Sequence, residues 1–481
     1  MSLDIAMFLP ILPEILLLVL AILILFLELI LPREQHCNLG WVTATGAALI
    51  MIASLAAWPR GEAQLMWGGM LRYDWLSFVF KMIFIFGVGI TALFAMDYKE
   101  LGHRGEFYVL LIISSIGMTF MASAADLIML YLAIETTSIP LYILAGFFLK
   151  DKKSTEAGFK YLLFGAMTSG IMLYGFSLLY GFAGTTNLYQ IADALGGGSE
   201  PSIYLIGSLL LILIGFGFKI SAVPLHFWAP DVYEGSPTPV AGFLSTASKA
   251  AGFAVLIRVF MTSFEIATPY WSIILSALSV ATMTIGNLIA LSQRNIKRLL
   301  AFSSIAHAGY ALIGVVAATE LGITSVIFYL IAYLVTNLAA FGVVGIYGKV
   351  SGSDDLTSYY GLSRRSPGLA LVMMVAFLSL AGMPPLGGFV VKVFVFAAAV
   401  NANLIWLAVV GVMNSIIGLY YYLTVLKYVY LYRSEGDEEP LVVSGPNRLA
   451  LTILTLAILL VGTLFAPWFG WASNAAMAMI R

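Results

Sequence analysis

Gly215-Phe-Gly-Phe-Lys219-Ile-Ser-Ala-Val-Pro224 and Ala381-Gly-Met-Pro384-Pro385-Leu-Gly387-Gly388-Phe-Val-Val-Lys392 each put a lysine and a helix-breaking proline inside an apolar run. The first leads into the polar segment Trp228-Ala-Pro-Asp231-Val-Tyr-Glu234-Gly-Ser-Pro-Thr-Pro239. Proline lacks a backbone donor and clashes with the preceding turn, so a helix must break or kink there and leave backbone groups unpaired. Inside a bilayer such groups are tolerated only where protein or a water-lined cavity satisfies them. Two broken helices in corresponding positions are a sequence mark of an ion path through a transporter.

The rest of the chain fits a membrane setting. Hydrophobic residues make up 61% of the 481 and charged residues 10%, and the apolar runs are each about twenty residues long, enough to span. Turn and charge signals predict about fourteen spans, near 8–31, 39–58, 75–96, 106–124, 126–149, 158–182, 202–225, 239–264, 269–292, 299–319, 321–348, 367–400, 402–431 and 448–471. The first is too long for a signal-peptide core and lacks a following cleavage site, so it is read as a true span. The expected fold is therefore an all-α membrane protein.

Alternate connections carry Arg33, then Lys99 and Arg104, Lys150 to Lys160, Arg294 to Arg298, Lys349 to Arg365, and Arg433 with Arg448. The opposite set holds little beyond Arg60, Arg72 and Arg481. The positive-inside rule makes the basic set cytoplasmic and both termini external, which needs an even number of spans. Spans four to eight and nine to thirteen can be matched as two five-helix units. An odd number of helices per unit forces opposite topology, hence an inverted repeat. The division expected is an N-terminal segment 1–97, units 106–265 and 269–432, and a last helix in 447–481.

Composition also excludes functions. A net charge of -1 offers no basic footprint for nucleic acid. A single cysteine, Cys37, rules out an internal disulfide or a thiolate-built cluster. His36, His103, His226 and His307 are scattered, and nucleotide-binding and H-E-x-x-H signatures are absent. Any redox centre or nucleotide site serving this protein is expected on another chain.

The charges inside spans carry the chemistry. Glu135 lies about nine residues into its span, too deep to reach the interface, and should have a basic partner, for which Lys219 is the natural candidate. Lys249, in Ser245-Thr-Ala-Ser-Lys249, has small and hydroxyl neighbours that admit another helix or water, and reads as a relay point. Lys392 reads as the terminal relay of the second half. His307 suits proton transfer but equally suits a satisfied structural role. The bland reading of the Glu135 and Lys219 pair is a static ion pair, and that of the prolines is simple kinking. Lys81, Arg258 and Lys427 are expected to snorkel to an interface. Glu106 and Asp126 sit at span ends, and Glu156 with Lys160 is spaced to pair on a helix. Glu14 and Glu28 find no partner by sequence; a neighbouring subunit would explain them.

The stretches Gly217 to Pro239, Ser245 to Lys249, Arg294-Asn-Ile-Lys-Arg298 to Tyr310, and Ala381 to Lys392 together resemble the signature of the antiporter-like membrane subunits of complex I. The resemblance spans almost the whole chain. It implies fourteen helices with two inverted five-helix repeats, Glu135 and Lys219 as the first-half pair, Lys249 as the connecting lysine and Lys392 as the second-half terminal residue. It also implies proton translocation coupled to electron transfer from NADH to quinone. FMN, iron-sulfur clusters, NADH and quinone would sit on partner chains and no cofactor on this one, with other membrane-arm subunits and the lipid bilayer as its partners. A stand-alone or Mrp-type cation/proton antiporter is the alternative.

Overall fold

The computed structural model describes residues 5–196, 203–433 and 440–480. Arg481 lies outside the described residues. Among the described residues thirteen helices are long and apolar enough to cross a membrane, and two shorter apolar helices, Pro367–Ala381 and Gly387–Asn401, flank the second break where one further span is expected. In chain order the helices are α1 (Leu12–Ile30), α2 (Leu39–Ala56), α3 (Trp75–Ala95), α4 (Gly105–Ser123), α5 (Leu127–Ala145), α6 (Lys152–Ala183), α7 (Ile203–Ile220), α8 (Trp228–Gly235) and α9 (Thr238–Thr262). They continue as α10 (Thr268–Ala290), α11 (Ile296–Val316), α12 (Glu320–Ser351), α13 (Pro367–Ala381), α14 (Gly387–Asn401), α15 (Ile405–Leu431), α16 (Gly445–Thr463) and α17 (Ala466–Ile480). A two-stranded hairpin, β1 (Gln64–Met66) and β2 (Leu71–Tyr73), joins α2 to α3.

The core is not shared evenly among the helices. The apolar windows of α9, α11 and α12 are 100% buried, while those of α1, α6 and α16 are 33–39% buried. The apolar stretch of each of these three helices is thus enclosed by protein, and α9 and α11 carry Lys249 and His307. In lipid there is no hydrophobic drive between helices, so close approach rests on small residues and hydrogen bonds. Gly286 and Gly309, at the α10 and α11 contact, leave no room for a Cβ: one would meet backbone atoms of the facing helix at 2.8 and 2.6 Å.

The two breaks are built alike. At the end of α7, Ser221 N–H donates to Phe218 O (3.0 Å) and Ala222 N–H to Gly217 O (2.8 Å), with Ser221 at φ 60°. At the end of α13, Gly382 N–H donates to Ser379 O (2.9 Å) and Met383 N–H to Leu378 O (2.9 Å), with Gly382 at φ 89°. Both are Schellman closures with one left-handed residue. The following Val223–Pro224 and Pro384–Pro385 bonds are both cis.

A second device also occurs twice. Leu127 N–H donates to Thr186 O and Leu188 N–H to Ala125 O, both 2.9 Å; Ile296 N–H donates to Asp354 O and Leu356 N–H to Arg294 O, both 2.8 Å. In each clasp an Asx side chain caps the helix that begins there: Asp126 accepts from Ile128 and Met129, and Asn295 from Lys297 and Arg298. Five crossings, those of α5, α6, α7, α9 and α10, lie between the start of α5 and the start of α11, so the clasps lie on opposite faces of the membrane. The inverted repeat expected from the order of the spans is present in the bonding.

Four expectations need correction. Lys81 does not snorkel: its ammonium pairs with Glu14 at 2.8 Å and donates to Pro10 O at 2.6 Å, with both side chains buried. Arg258 is 1% exposed and forms a two-pronged pair with Asp74 (2.8 and 3.0 Å), while also donating to Ala122 O and Tyr189. Glu28 accepts from Gly105 N–H at 2.6 Å and so satisfies an orphan donor at the start of α4. Both glutamates of the first span therefore have partners inside the chain. The last span ends at Thr463 rather than near 471, because Pro467 forces a new helix start, and α17 returns along α12 and α3 through Phe328–Phe469 and Phe78–Trp471 ring contacts. Ile5–Ile11, the hairpin and α17 lie together on one face, linked by Phe8 against Trp67 and by Arg72 donating to Ala478 O. Lys427 stands 5.5 Å from the Tyr432 ring near the end of α15.

Candidate functional site

The helix ends created by the breaks supply the site's first electrostatic feature. The last turn of a helix has carbonyls without intrahelical donors and a partial negative charge. Lys219 belongs to the last turn of α7. Lys392 reaches the corresponding place from the far side of the break: its ammonium donates to Leu380 O (2.9 Å) and Ala381 O (3.0 Å) at the end of α13, and to Ser415 Oγ (2.9 Å). Counting from the prolines, Lys392 is in register with Asp231, and Leu380 is in register with Lys219. So the second unit fills the first unit's lysine position with an ammonium borrowed from seven residues past the second proline.

All three lysines are buried, with Lys219 at 6%, Lys249 at 2% and Lys392 at 6% exposure. Lys392 has a partner for each of its three donors. Lys219 donates to Ser138 Oγ on α5 at 2.9 Å, and Lys249 to Ser304 O on α11 at 2.9 Å. An ammonium has three donors, and one bond serves a neutral amine as well as a water-bridged ammonium. The geometry therefore accommodates loss and gain of a proton at Lys219 and Lys249.

Glu135 and Lys219 line the same cavity with Ser138, Thr168 and Ser169. Its volume is about 20 Å³, room for about one water. The two charges are not in direct contact; Glu135 accepts from Ser169, and Ser138 stands on Lys219. Glu135 is half-buried at the periphery between α5 and α6, whereas Lys219 faces the interior. The stem of Lys219 packs on Gly252, one turn beyond Lys249, where a Cβ would meet its Cγ at 3.2 Å.

From Lys249 the polar groups continue along α11. Ser304 and His307 are one turn apart, and His307 bonds Tyr329 OH through Nδ1 (2.6 Å) and Tyr422 OH through Nε2 (3.1 Å). Tyr422 also bonds Ser303. One turn further, the Tyr310 ring lies 5.7 Å from the His307 ring and 5.1 Å from the Lys392 ammonium. Lys249 thus reaches the backbone of α11 one turn from His307, the Tyr310 ring neighbours both His307 and Lys392, and all of these side chains are buried. A π-helical turn at Leu244–Ser248 precedes Lys249, and Asn337 of α12 donates to Ser245 within it (2.7 Å). Such a turn adds a residue and rotates the remainder of the helix about its axis.

Sequence reasoning singled out the lysines, Glu135 and His307, but not Ser138, Ser304, Tyr329, Tyr422 or Ser415. Serines and tyrosines are too common in membrane helices to stand out; the signal available was their helical spacing, as in Ser303, Ser304, His307 and Tyr310. Glu156 and Lys160 do pair, at 2.6 Å, but Lys160 also reaches Asp231 at 2.6 Å, 71 residues on. Outside the spans, Asp355 of the second clasp is held below the usual carboxylate range, first by Thr357 N–H and then by the Thr357 hydroxyl. Among the described residues no group of three or more His, Cys, Asp or Glu side chains could hold a metal ion.

Residues 124–418 match the family described as "NADH:quinone oxidoreductase/Mrp antiporter, TM". NADH-quinone oxidoreductase subunit N of Moorella thermoacetica is 42% identical over 457 residues, covering 94% of this chain and 95% of that one. A chain of respiratory complex I from Thermus thermophilus superposes with a TM-score of 0.80 at 33% identity, covering 95% of this chain and 98% of that one. A chain of the Mrp complex from Dietzia sp. shares the fold, with a TM-score of 0.87 at 20% identity and coverage of 100% and 98%.

Proposed function

The chain belongs to the NADH:quinone oxidoreductase/Mrp antiporter transmembrane family, and from that membership we propose that it is subunit N of a proton-pumping NADH:quinone oxidoreductase, carrying protons through its own buried lysines. The observation that carries this reading is the run of Lys219, Lys249, His307 and Lys392, every one a buried side chain inside a membrane-spanning bundle and each joined to polar neighbours. Buried ionisable groups are costly in a membrane and are kept mainly for moving charge. The 42% identity to a subunit N over nearly full length favours this over a separate cation/proton antiporter, for which the likeness is one of fold.

Lys219 takes a proton from the face carrying Lys153, Lys160 and Arg298, which is the cytoplasmic face on the positive-inside rule. It passes to Lys249, whose helix its stem touches, then through Ser304 and His307 towards Lys392 and the opposite face. Glu135 stands at the edge of the chain, where a neighbouring membrane subunit packs, and sets the charge state of Lys219 across their shared cavity. The working units run 106–265 and 269–432, flanked by 1–97 and 447–481, and both termini are external. Electron transfer from NADH to quinone, with FMN and iron-sulfur clusters, takes place on partner chains.

The test is Lys249→Met in the assembled complex. The variant complex retains its partner subunits, while NADH-driven proton uptake into inverted vesicles attributable to this subunit is lost. Unchanged proton uptake per NADH would overturn the reading.

A further inference from the structure

The Lys219 cavity is closed towards the basic face by a stack of rings. Tyr161 of α6 lies flat on Trp228 of α8, with centroids 4.4 Å apart and planes 9° apart. Tyr142, which lines the cavity, meets Tyr161 edge-on at 4.8 Å. Phe218, another lining residue, lies 5.1 Å from Trp228 and accepts its indole N–H through the backbone carbonyl at 3.1 Å.

Directly beside this stack is a set of ion pairs built from the same two helices and α11. Lys160, adjacent to Tyr161, pairs with Asp231, one turn from Trp228 (2.6 Å). Arg298 of α11 holds Asp231 at 2.8 Å and Glu234 at 3.0 Å, and Lys153 of α6 holds Glu234 at 2.8 Å. Each helix therefore contributes one member to the stack and its near neighbour to the ionic layer, so the two layers part or close together. The contact is tight: a Cβ on Gly235 would collide with Lys153 O.

The two layers differ in strength. Lys160 and Asp231 are each about one-third exposed, at 33% and 36%, and exposed pairs of this kind contribute little and exchange readily. A static structural role is better served by fully buried pairs, which this chain has at Arg258–Asp74 and Lys81–Glu14. α8 is also short, eight residues, and joined to α7 only through the non-helical break. Non-helical residues at 221–227 and 236–237 flank it, so it can shift without unwinding α7 or α9.

We propose that the Tyr161–Trp228 stack, latched by Asp231 to Lys160 and Arg298, is the gate through which water and protons reach the Lys219 cavity from the basic face. This rests on the proton-carrying reading above, but its test does not. A cysteine reporter, Thr168→Cys, is placed in the cavity lining of a Cys37→Ser chain within the whole complex, in inverted vesicles without NADH. Reaction with silver ion, a thiol reagent close to water in size, is followed on the isolated, denatured subunit as loss of later maleimide labelling. It is slow in the parent and rises about fivefold in Asp231→Asn, which removes two partly exposed pairs, and about tenfold in Trp228→Ala, which removes a buried stacking contact, from a closed population. Glu156→Gln, which touches only Lys160, leaves it unchanged. Tyr161→Leu removes the other ring of the same stack and gives the rise where Trp228→Ala does not assemble. Rates within about twofold of the parent in the assembled gate variants, or a parent reacting as fast as Lys150→Cys on the surface, overturn the gate. Either result leaves the Lys249→Met test of pumping untouched.

Discussion

Replacing Arg258 by methionine separates what a buried ion pair does from what a surface one does. The guanidinium is 1% exposed and Asp74 0%, so no solvent screening applies. Removing one member of a buried pair costs about 3–5 kcal/mol, because the other charge is left desolvated. Arg72 stays 3.5 Å from Asp74 and Ser77 N–H still bonds it, which places the loss near the lower limit, about 3 kcal/mol. The double variant Arg258→Met, Asp74→Asn removes the stranded charge and keeps the acceptor that caps α3. What remains is the Ala122 carbonyl, deprived of two donors, at about 1–3 kcal/mol. The double variant is therefore more stable than the single one. The assay is heating of the purified complex in detergent, with retention of this subunit followed on native gels. A double variant no better retained than Arg258→Met, or a single variant equal to wild type, refutes the reasoning.

Lys81→Met strands Glu14 in the same way and lowers retention by a comparable margin, about 3 kcal/mol, whereas Glu14→Gln costs less because Lys81 keeps Pro10 O; equal losses in the two variants would contradict this. Ser138→Ala removes the hydroxyl on which Lys219 rests, and a hydrogen bond to a charged group is worth about 1.5–3 kcal/mol, so NADH-driven proton uptake slows by about tenfold or more while the complex stays assembled. Asp355 has a folded pKa below its unfolded one, so its contribution to the second clasp is present above about pH 4 and is lost only as pH falls through the lowered native value. Hydrogen exchange of the segment 354–360, corrected for intrinsic rates, is accordingly flat between about pH 5 and 9, and a step near neutrality would contradict the assignment.

The breaks were legible because proline leaves a local mark: Pro224 and the Pro384–Pro385 pair located both helix ends to within a few residues. The buried lysines were legible because a charge deep in an apolar run has few explanations. Arg258 and Lys81 were misread because their distance from a span end allowed snorkelling, and their partners lie 184 and 67 residues away in sequence. No local pattern joins Asp74 to Arg258. Glu135 and Lys219 line one cavity but each bonds a serine rather than the other, a choice made by side-chain packing after the helices meet. The register of Lys392 with Asp231 can be counted from Pro224 and Pro385, but the return of the Lys392 ammonium to the end of α13 emerged only from its hydrogen bonds.

The paired clasps bear on how such a chain arises and inserts. Leu127 with Leu188 and Ile296 with Leu356 close the same backbone ring on opposite sides of the membrane, with an Asx cap in each. Nothing in that ring distinguishes up from down. A five-helix module bonded this way is indifferent to the direction in which the insertion machinery threads it, and a duplicated copy could settle upside down without rebuilding its interior. The choice of orientation is left to the arginines and lysines of the connections, which a handful of point changes can move.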